Sequence, residues 1–253
     1  MRICSLSSGS RGNSLFIESE NSRILIDAGL SSKQLKTRLQ SLGIDPQTIQ
    51  AIVITHAHRD HVSGADVFSS QFSIPVYGHP DTLNTLTYLF KRNKNIIPWT
   101  GEFVIEDMIL TPFRLSHDAF PTVGYRISAN GKTMSVCTDL GVVTPEVQEN
   151  LKLAQFLVIE SNHDPDMLAN GPYPWELKER ITSRVGHLSN HDTGALLRKI
   201  LNGYIYKILL AHLSEENNLP KLAKNTVLEY VGVQHEDLIE VIEQRKISKI
   251  YEF

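Results

Sequence analysis

Short apolar runs broken by turn residues dominate the first part of this chain. Residues 3–6, 14–18 and 23–27 read as strands, divided by turn-forming stretches such as Ser8-Gly9-Ser10-Arg11-Gly12-Asn13. The period then changes: residues 31–42 read as a helix, with Ser31 or Ser32 as cap and Gly43 closing it. Ala51-Ile52-Val53-Ile54 is apolar throughout and reads as a buried strand, followed by a strand over 74–77 and a helix over 81–92. Strands are predicted at 103–105, 108–115, 124–128 and 133–137, the last two joined by Asn130-Gly131, a tight-hairpin signal. The second half predicts a strand at 156–160, helices near 176–182 and 192–201, a strand at 207–211 and a helix over 221–230. Strands near 238–243 and 249–251 close it. No repeat, low-complexity tract or linker interrupts the pattern, so one α/β domain over 1–253 is the simplest organisation.

Composition narrows the class. A chain of 253 residues can bury a full core. Hydrophobic content of 41% and charged content of 21% are those of an ordinary soluble globular protein. A formal charge of −3 argues against a surface coated with base for gripping long nucleic acid, and leaves room for a local basic cleft. The opening residues carry no long apolar segment of the signal-peptide kind, and no apolar run approaches the roughly 18 residues of a membrane helix. Cys4 and Cys137 are too few for a disulfide scaffold and sit in strand-like segments, so buried thiols and a cytoplasmic setting are expected.

Candidate chemistry concentrates in Thr55-His56-Ala57-His58-Arg59-Asp60-His61, just past the apolar 51–54 run. Three imidazoles and a carboxylate within six residues would be wasted on a solvated polar loop; neutral imidazole with carboxylate suits zinc, manganese or iron. His56 and His58 can reach one ion while Asp60 and His61, one turn on, reach a second. His117, Asp139 and His212 each follow an apolar strand-like run, so all three can converge with this loop on one edge of the sheets.

His56-x-His58-x-Asp60-His61, followed by His117, Asp139 and His212, resembles the metallo-β-lactamase fold, an αββα four-layer sandwich with two metals between its sheet edges. The resemblance implies two divalent ions, Zn2+ or Mn2+: His56, His58 and His117 on the first, Asp60, His61 and His212 on the second, Asp139 bridging them. Asp27 in Ile26-Asp27-Ala28-Gly29 would orient the loop from behind, or simply be a strand-end turn residue; Asp118 is a similar candidate beside His117. Flavodiiron members carry a carboxylate where this chain has His58, which favours hydrolysis over redox chemistry. The nucleophile would be a metal-held hydroxide, with Asp60 and Asp139 indispensable and no serine or cysteine nucleophile required.

Gly186-His187-Leu188-Ser189-Asn190 is similar to a loop of the tRNase Z branch whose histidine lies beside the scissile phosphate, although Leu188 interrupts that pattern. His187 is thus a candidate for a phosphate contact or leaving-group proton donor, or else a polar helix-entry residue. A denser resemblance joins Ser7-Ser8-Gly9-Ser10-x-Gly12-Asn13, Ser116-His117-Asp118-Ala119, Thr138-Asp139-Leu140-Gly141, Glu160-Ser161-Asn162-His163-Asp164 and Ala211-His212-Leu213-Ser214-x-x-Asn217-Asn218. Together these resemble the small YycJ/WalJ-like bacterial branch, over about residues 1–220. That branch implies 5′-to-3′ exonuclease action on DNA, without the inserted second domain of RNase J-type nucleases. The substrate contacts singled out are His187, Asn190, Lys178, Arg180, Arg11, Asn162 and His163; for the cations the alternative is a solvated helix face or loop. The partner implied is nucleic acid, DNA ahead of RNA, with no membrane, and members of the fold often form homodimers. Three alternatives stay open: a small-molecule hydrolase such as a thioesterase or lactam hydrolase, an RNA-processing nuclease, and a metal-stabilised binding module.

Overall fold

The structure, a computed structural model, describes residues 1–253. Strands β1 (Arg2–Ser7), β2 (Ser14–Glu18), β3 (Arg23–Ile26), β4 (Ala51–Val53), β5 (Val76–Gly78) and β6 (Ile96–Pro98) form one sheet in sequential order. Strands β7 (Phe103–Ile105), β8 (Met108–Leu115), β9 (Thr122–Ala129), β10 (Lys132–Cys137), β11 (Phe156–Glu160), β12 (Lys207–Ala211) and β13 (Ile239–Val241) form the second. The last strand, β14 (Tyr251–Glu252), returns to the first sheet and pairs antiparallel with β1.

Each sheet starts as an antiparallel meander and ends in parallel pairing, from β3 onward in one and from β10 onward in the other. Parallel neighbours need crossovers, and helices supply them. In the first half α1 (Ser32–Ser41) joins β3 to β4, α2 (Arg59–Val62) and α3 (Ala65–Phe72) join β4 to β5, and α4 (Pro80–Thr85) joins β5 to β6. In the second, α5 (Pro145–Lys152) joins β10 to β11. Helices α6 (Pro165–Asn170), α7 (Trp175–Thr182) and α8 (Asn190–Ile200) join β11 to β12, and α9 (Pro220–Val231) joins β12 to β13.

Alternation along the strands builds the layers. Ile24 and Ile26 pack into a core shared with Met108, Ile127, Val136 and Leu209 of the opposite sheet, while Leu25 packs with Leu35, Leu39 and Phe68 of the first helix layer. Ile208 and Leu210 turn the other way from Leu209, onto Leu197 and Val227. Three cores therefore separate four layers, in the order αββα. Strands covered on both faces are apolar along their length, which is why the 51–54 and 208–211 runs lack a polar alternation.

The boundaries differ from the sequence reading where local chemistry intervenes. The helix expected over 81–92 ends at Thr85 and gives way to turns. There the Asp66 carboxylate accepts the backbone N–H groups of Arg92 and Asn93 at 3.0 and 2.9 Å, holding that segment out of helix. Helices α2, α3, α5 and α6 and strand β6 have no counterpart in the sequence reading, although Thr144 before Pro145 and Asp164 before Pro165 are helix-start signals and both cap as such. Cys4 and Cys137 are buried free thiols. No helix is long and apolar enough to cross a membrane.

One buried polar contact ties the second sheet to the segment that opens the His56 loop: the hydroxyl of fully buried Tyr125 donates to the Ile54 carbonyl at 2.8 Å. Tyr125→Phe leaves that carbonyl without its partner. We expect a loss of about 1–3 kcal/mol of stability in urea unfolding, with the metal content of the folded protein unchanged.

Candidate metal centre

The strands end where the backbone is least relaxed. Asp27 after β3, Asp139 after β10 and His212 after β12 all have left-handed backbone, with φ of +62°, +65° and +55°. Non-glycine residues rarely accept this conformation; here Asp139 and His212 face each other while Asp27 backs His61 from its other ring nitrogen. The loop from β4 is stitched down beside them: Ala28 N–H donates to the His61 carbonyl and Asn13 N–H to the Asp60 carbonyl, at 2.8 and 2.7 Å. At Gly29 an added Cβ would lie 1.6 Å from the Asp60 carbonyl oxygen, so this close approach admits only glycine.

Hydrogen bonds on the far side of the rings set which nitrogen faces the centre. Thr55 Oγ1 donates to Asp27 Oδ2 at 2.9 Å, which leaves it to accept from His56 Nδ1 at 3.0 Å. His61 Nδ1 donates to Asp27 Oδ2 at 2.7 Å, and His117 Nδ1 to the Gly186 carbonyl at 3.1 Å. His212 Nδ1 donates to Glu160 Oε1 at 2.9 Å. Every one of these rings has Nδ1 committed to an oxygen, so Nε2 carries the free lone pair. His58 is reversed, with Nδ1 inward and Nε2 3.3 Å from Asp118 Oδ1.

Four overlapping groups of three or four side chains have candidate ligand atoms within 4.8 Å of one another, among them the two expected from the sequence. His56, His58 and His117 form one, and Asp60, His61 and His212 the other. His58 Nδ1 and His117 Nε2 lie 3.3 Å apart, about the separation of two nitrogens each ~2.0–2.1 Å from one tetrahedral ion. Asp139 stands between the groups: one oxygen is 3.3 Å from His61 Nε2, the other 3.4 Å from His212 Nε2 and 3.9 Å from His117 Nε2. His56 Nε2, His212 Nε2 and Asp139 Oδ2 are buried without any hydrogen-bond partner. Orphaned lone pairs converging in a buried space are costly unless something cationic meets them. The donor set fits divalent metal.

Electrostatics agree. Burial works against charge on Asp139, yet His212 and His61 hold its carboxyl well below the usual range. Burial likewise disfavours a charged His212, but Asp139, Asp60 and Glu160 outweigh it and push the ring up to about 10. Buried carboxylates thus demand positive charge, met by protons when no metal is bound. His56, buried and beside His61, is held well below its ordinary value and is a neutral ligand at any physiological pH.

The centre opens into a cleft of ≈ 240 Å³. Of the substrate-contact candidates, His187, Arg180 and Asn162 line it, and Asp118 stands at its wall. Four others do not. Asn190 is fully buried, held by Ser161 and Asn218 as the first residue of α8. His163 is buried away from the cleft, bridged to Ser189, and burial pulls its ring down to about 4. Lys178 Nζ donates to the Ala169 carbonyl, and Arg11 pairs with Glu215 at 2.9 Å; neither lines the cleft. Tertiary packing, invisible in the local sequence, redirects all four.

Two further residues gain importance: Glu160, which its strand-end place makes a possible ligand-orienting or substrate-contacting residue but which the sequence reading passes over for Asn162 and His163, and Asn13, to which that reading gives no role. Glu160, fully buried at the end of β11, accepts from His187 Nδ1 and His212 Nδ1 through one oxygen and from Leu140 N–H and Leu188 N–H through the other. Its strand-end position was the available signal, the same one that marked Asp139 and His212. Asn13 places Nδ2 2.9 Å from His61 Nε2 and 3.1 Å from Asp60 Oδ2.

Glu160→Gln puts an amide NH2 where a carboxylate oxygen accepts two donors. We expect metal affinity of the group containing His212 to fall roughly 10- to 100-fold, with the His56 group retained. Chelator competition followed by elemental analysis checks this; unchanged affinity would remove Glu160 from the centre.

Comparison with known proteins comes down on the same side. A family model described as a beta-lactamase superfamily domain matches residues 22–208. The protein named exodeoxyribonuclease YycJ from Bacillus anthracis is 34% identical over 230 residues, covering 88% of this chain and 86% of that protein. Exodeoxyribonuclease WalJ from Streptococcus pneumoniae is 35% identical over 229 residues, covering 88% and 85%. Among solved structures, the metallo-beta-lactamase fold protein YhfI from Bacillus subtilis superposes with a TM-score of 0.72 at 15% identity, over 98% of this chain and 100% of that one. From the strand order, the ligand constellation and these relatives together, the chain belongs to the beta-lactamase superfamily, as a metallo-β-lactamase-fold hydrolase of the YycJ/WalJ branch.

Proposed function

We propose that this protein is a metal-dependent nuclease that degrades DNA from a 5′ end, using two divalent ions, zinc or manganese. The observation that carries the reading is the pair of ligand groups sharing Asp139, in a chain alike over most of its length to two proteins named exodeoxyribonucleases. Two ions at such ligands supply Lewis acidity, lowering the pKa of a bound water and neutralising charge on a phosphodiester.

The chain's own residues do the rest. Asp139 lies between the groups, near His61 through one oxygen and near His212 and His117 through the other, and would hold their spacing. Asp60 completes the second group from the lip of the cleft. Asp27 and Glu160 fix His61 and His212 from behind. His187 lines the cleft with Nδ1 bound to Glu160 at 2.8 Å, which leaves Nε2 for the substrate. Burial disfavours its charged form while Glu160 favours it and raises the ring, which suits His187 to donate a proton to the leaving oxygen.

The test is cleavage of end-labelled duplex DNA, single-stranded DNA and RNA with manganese, zinc or magnesium added to chelator-stripped protein. Stepwise, metal-dependent loss from the 5′ end of DNA is expected. Asp60→Ala should lower the rate by more than roughly 100-fold with loss of bound metal. His187→Ala should cost about 10²–10⁴-fold with metal content retained. Turnover of thioesters or lactams by metal-loaded protein that attacks no polymer would instead make it a small-molecule hydrolase.

A further inference from the structure

Only one arginine or lysine lines the metal cleft, and it is Arg180. It projects from α7, in the excursion between β11 and α8, into the cleft. Its Nε donates to Asp118 Oδ2. The other oxygen of Asp118 lies 3.3 Å from both His58 Nε2 and His117 Nε2. Asp118 thus couples a permanent cation to the ligand set and fixes its distance. The two Nη groups of Arg180 have no partner in the protein. A guanidinium aimed by one carboxylate and left with its fork free is arranged to receive a planar or tetrahedral oxyanion.

The segment that follows Arg180 is held in place. Ser116 Oγ donates to the Arg184 carbonyl at 2.7 Å, and a Cβ on Gly141 would lie 2.5 Å from the Arg184 carbonyl carbon. The segment after α7 is therefore pressed onto the strand ends that carry His117 and Asp139. At ≈ 240 Å³ the cleft is smaller than the roughly 300–1,000 Å³ of pockets that enclose drug-sized ligands, and it opens to solvent. Tyr173 and Leu177 stand beside Arg180 on the same wall and offer a hydroxyl and an apolar face.

We propose that Arg180, positioned by Asp118, receives the terminal phosphate of the strand and thereby makes the enzyme select a phosphate-bearing end. This rests on the nucleic-acid reading above and adds to it the chemistry of the end. A terminal monophosphate carries a charge of about −1.5 to −2 at neutral pH, an internal diester only one. A single well-aimed cation in an otherwise acidic and imidazole-lined cleft discriminates between them.

The experiment measures kcat and KM on matched oligonucleotides ending in phosphate or hydroxyl, with covalently closed single-stranded circles as a third substrate. Wild-type protein should favour the phosphate end by roughly 10- to 100-fold in kcat/KM and leave circles intact. Arg180→Ala should erase that preference, mainly by raising KM for the phosphate-ended strand, with bound metal unchanged by elemental analysis. Arg180→Lys, which keeps the charge and loses the fork, should retain part of the preference and serves if the alanine variant does not fold. An Arg180→Ala protein that keeps the wild-type preference, or a wild type with none, overturns the proposal. Wild-type protein that cleaves no strand of either kind overturns the nuclease reading instead.

Discussion

The metal centre depends on a requirement of imidazole chemistry: a histidine offers a lone pair only from the nitrogen that does not carry its proton. In this protein buried oxygens take the Nδ1 proton of His56, His61, His117, His187 and His212. Two carboxylates do most of this work, one from each sheet. Asp27 at the end of β3 commits His61 and, through Thr55, His56. Glu160 at the end of β11 commits His212 and His187. The arrangement joins the two halves of the chain at a single point, because His117 joins His56 and His58, and His212 joins Asp60 and His61, across the two sheets.

Placing those carboxylates inside the protein is costly, and the fold compensates locally. Asp27 accepts three donors and Glu160 four, so neither is left bare in a low-dielectric interior. Left-handed backbone at Asp27, Asp139 and His212 adds strain at the same place. Such strain persists only where surroundings over-determine it, and here three packed cores behind the strand ends supply that rigidity. Stability is thus drawn from the sandwich and expended at its rim.

The excursion from β11 to α8 gives the centre its particular character. It brings Glu160, Asn162, Tyr173, Arg180 and His187 to one cleft from within one stretch of chain. The N-terminal Ser/Gly loop closes the other side: Ser8 Oγ accepts from His212 N–H at 2.8 Å and Asn13 touches both His61 and Asp60. A loop that reads as a simple turn in sequence is thereby part of the rim.

What the sequence by itself determined is what depends on local composition. Unbroken apolar runs announced strands covered on both faces, Asn130-Gly131 announced its hairpin, and histidines or acids immediately after those runs announced a rim of ligands. Those signals hold because a chain leaving the end of a sheet has to turn there, whatever lies elsewhere. Direction of a side chain beyond its own element is another matter. Asn190, His163, Lys178 and Arg11 sit in suggestive motifs, yet α8 capping, a buried bridge, a backbone carbonyl and Glu215 claim them. Glu160 was named beside them and passed over, since its four donors come from residues 20 to 52 positions away. The four-layer packing alone decided those partnerships, because a hydrogen bond is settled by distance and angle in space, and the spacing of letters along a chain carries neither.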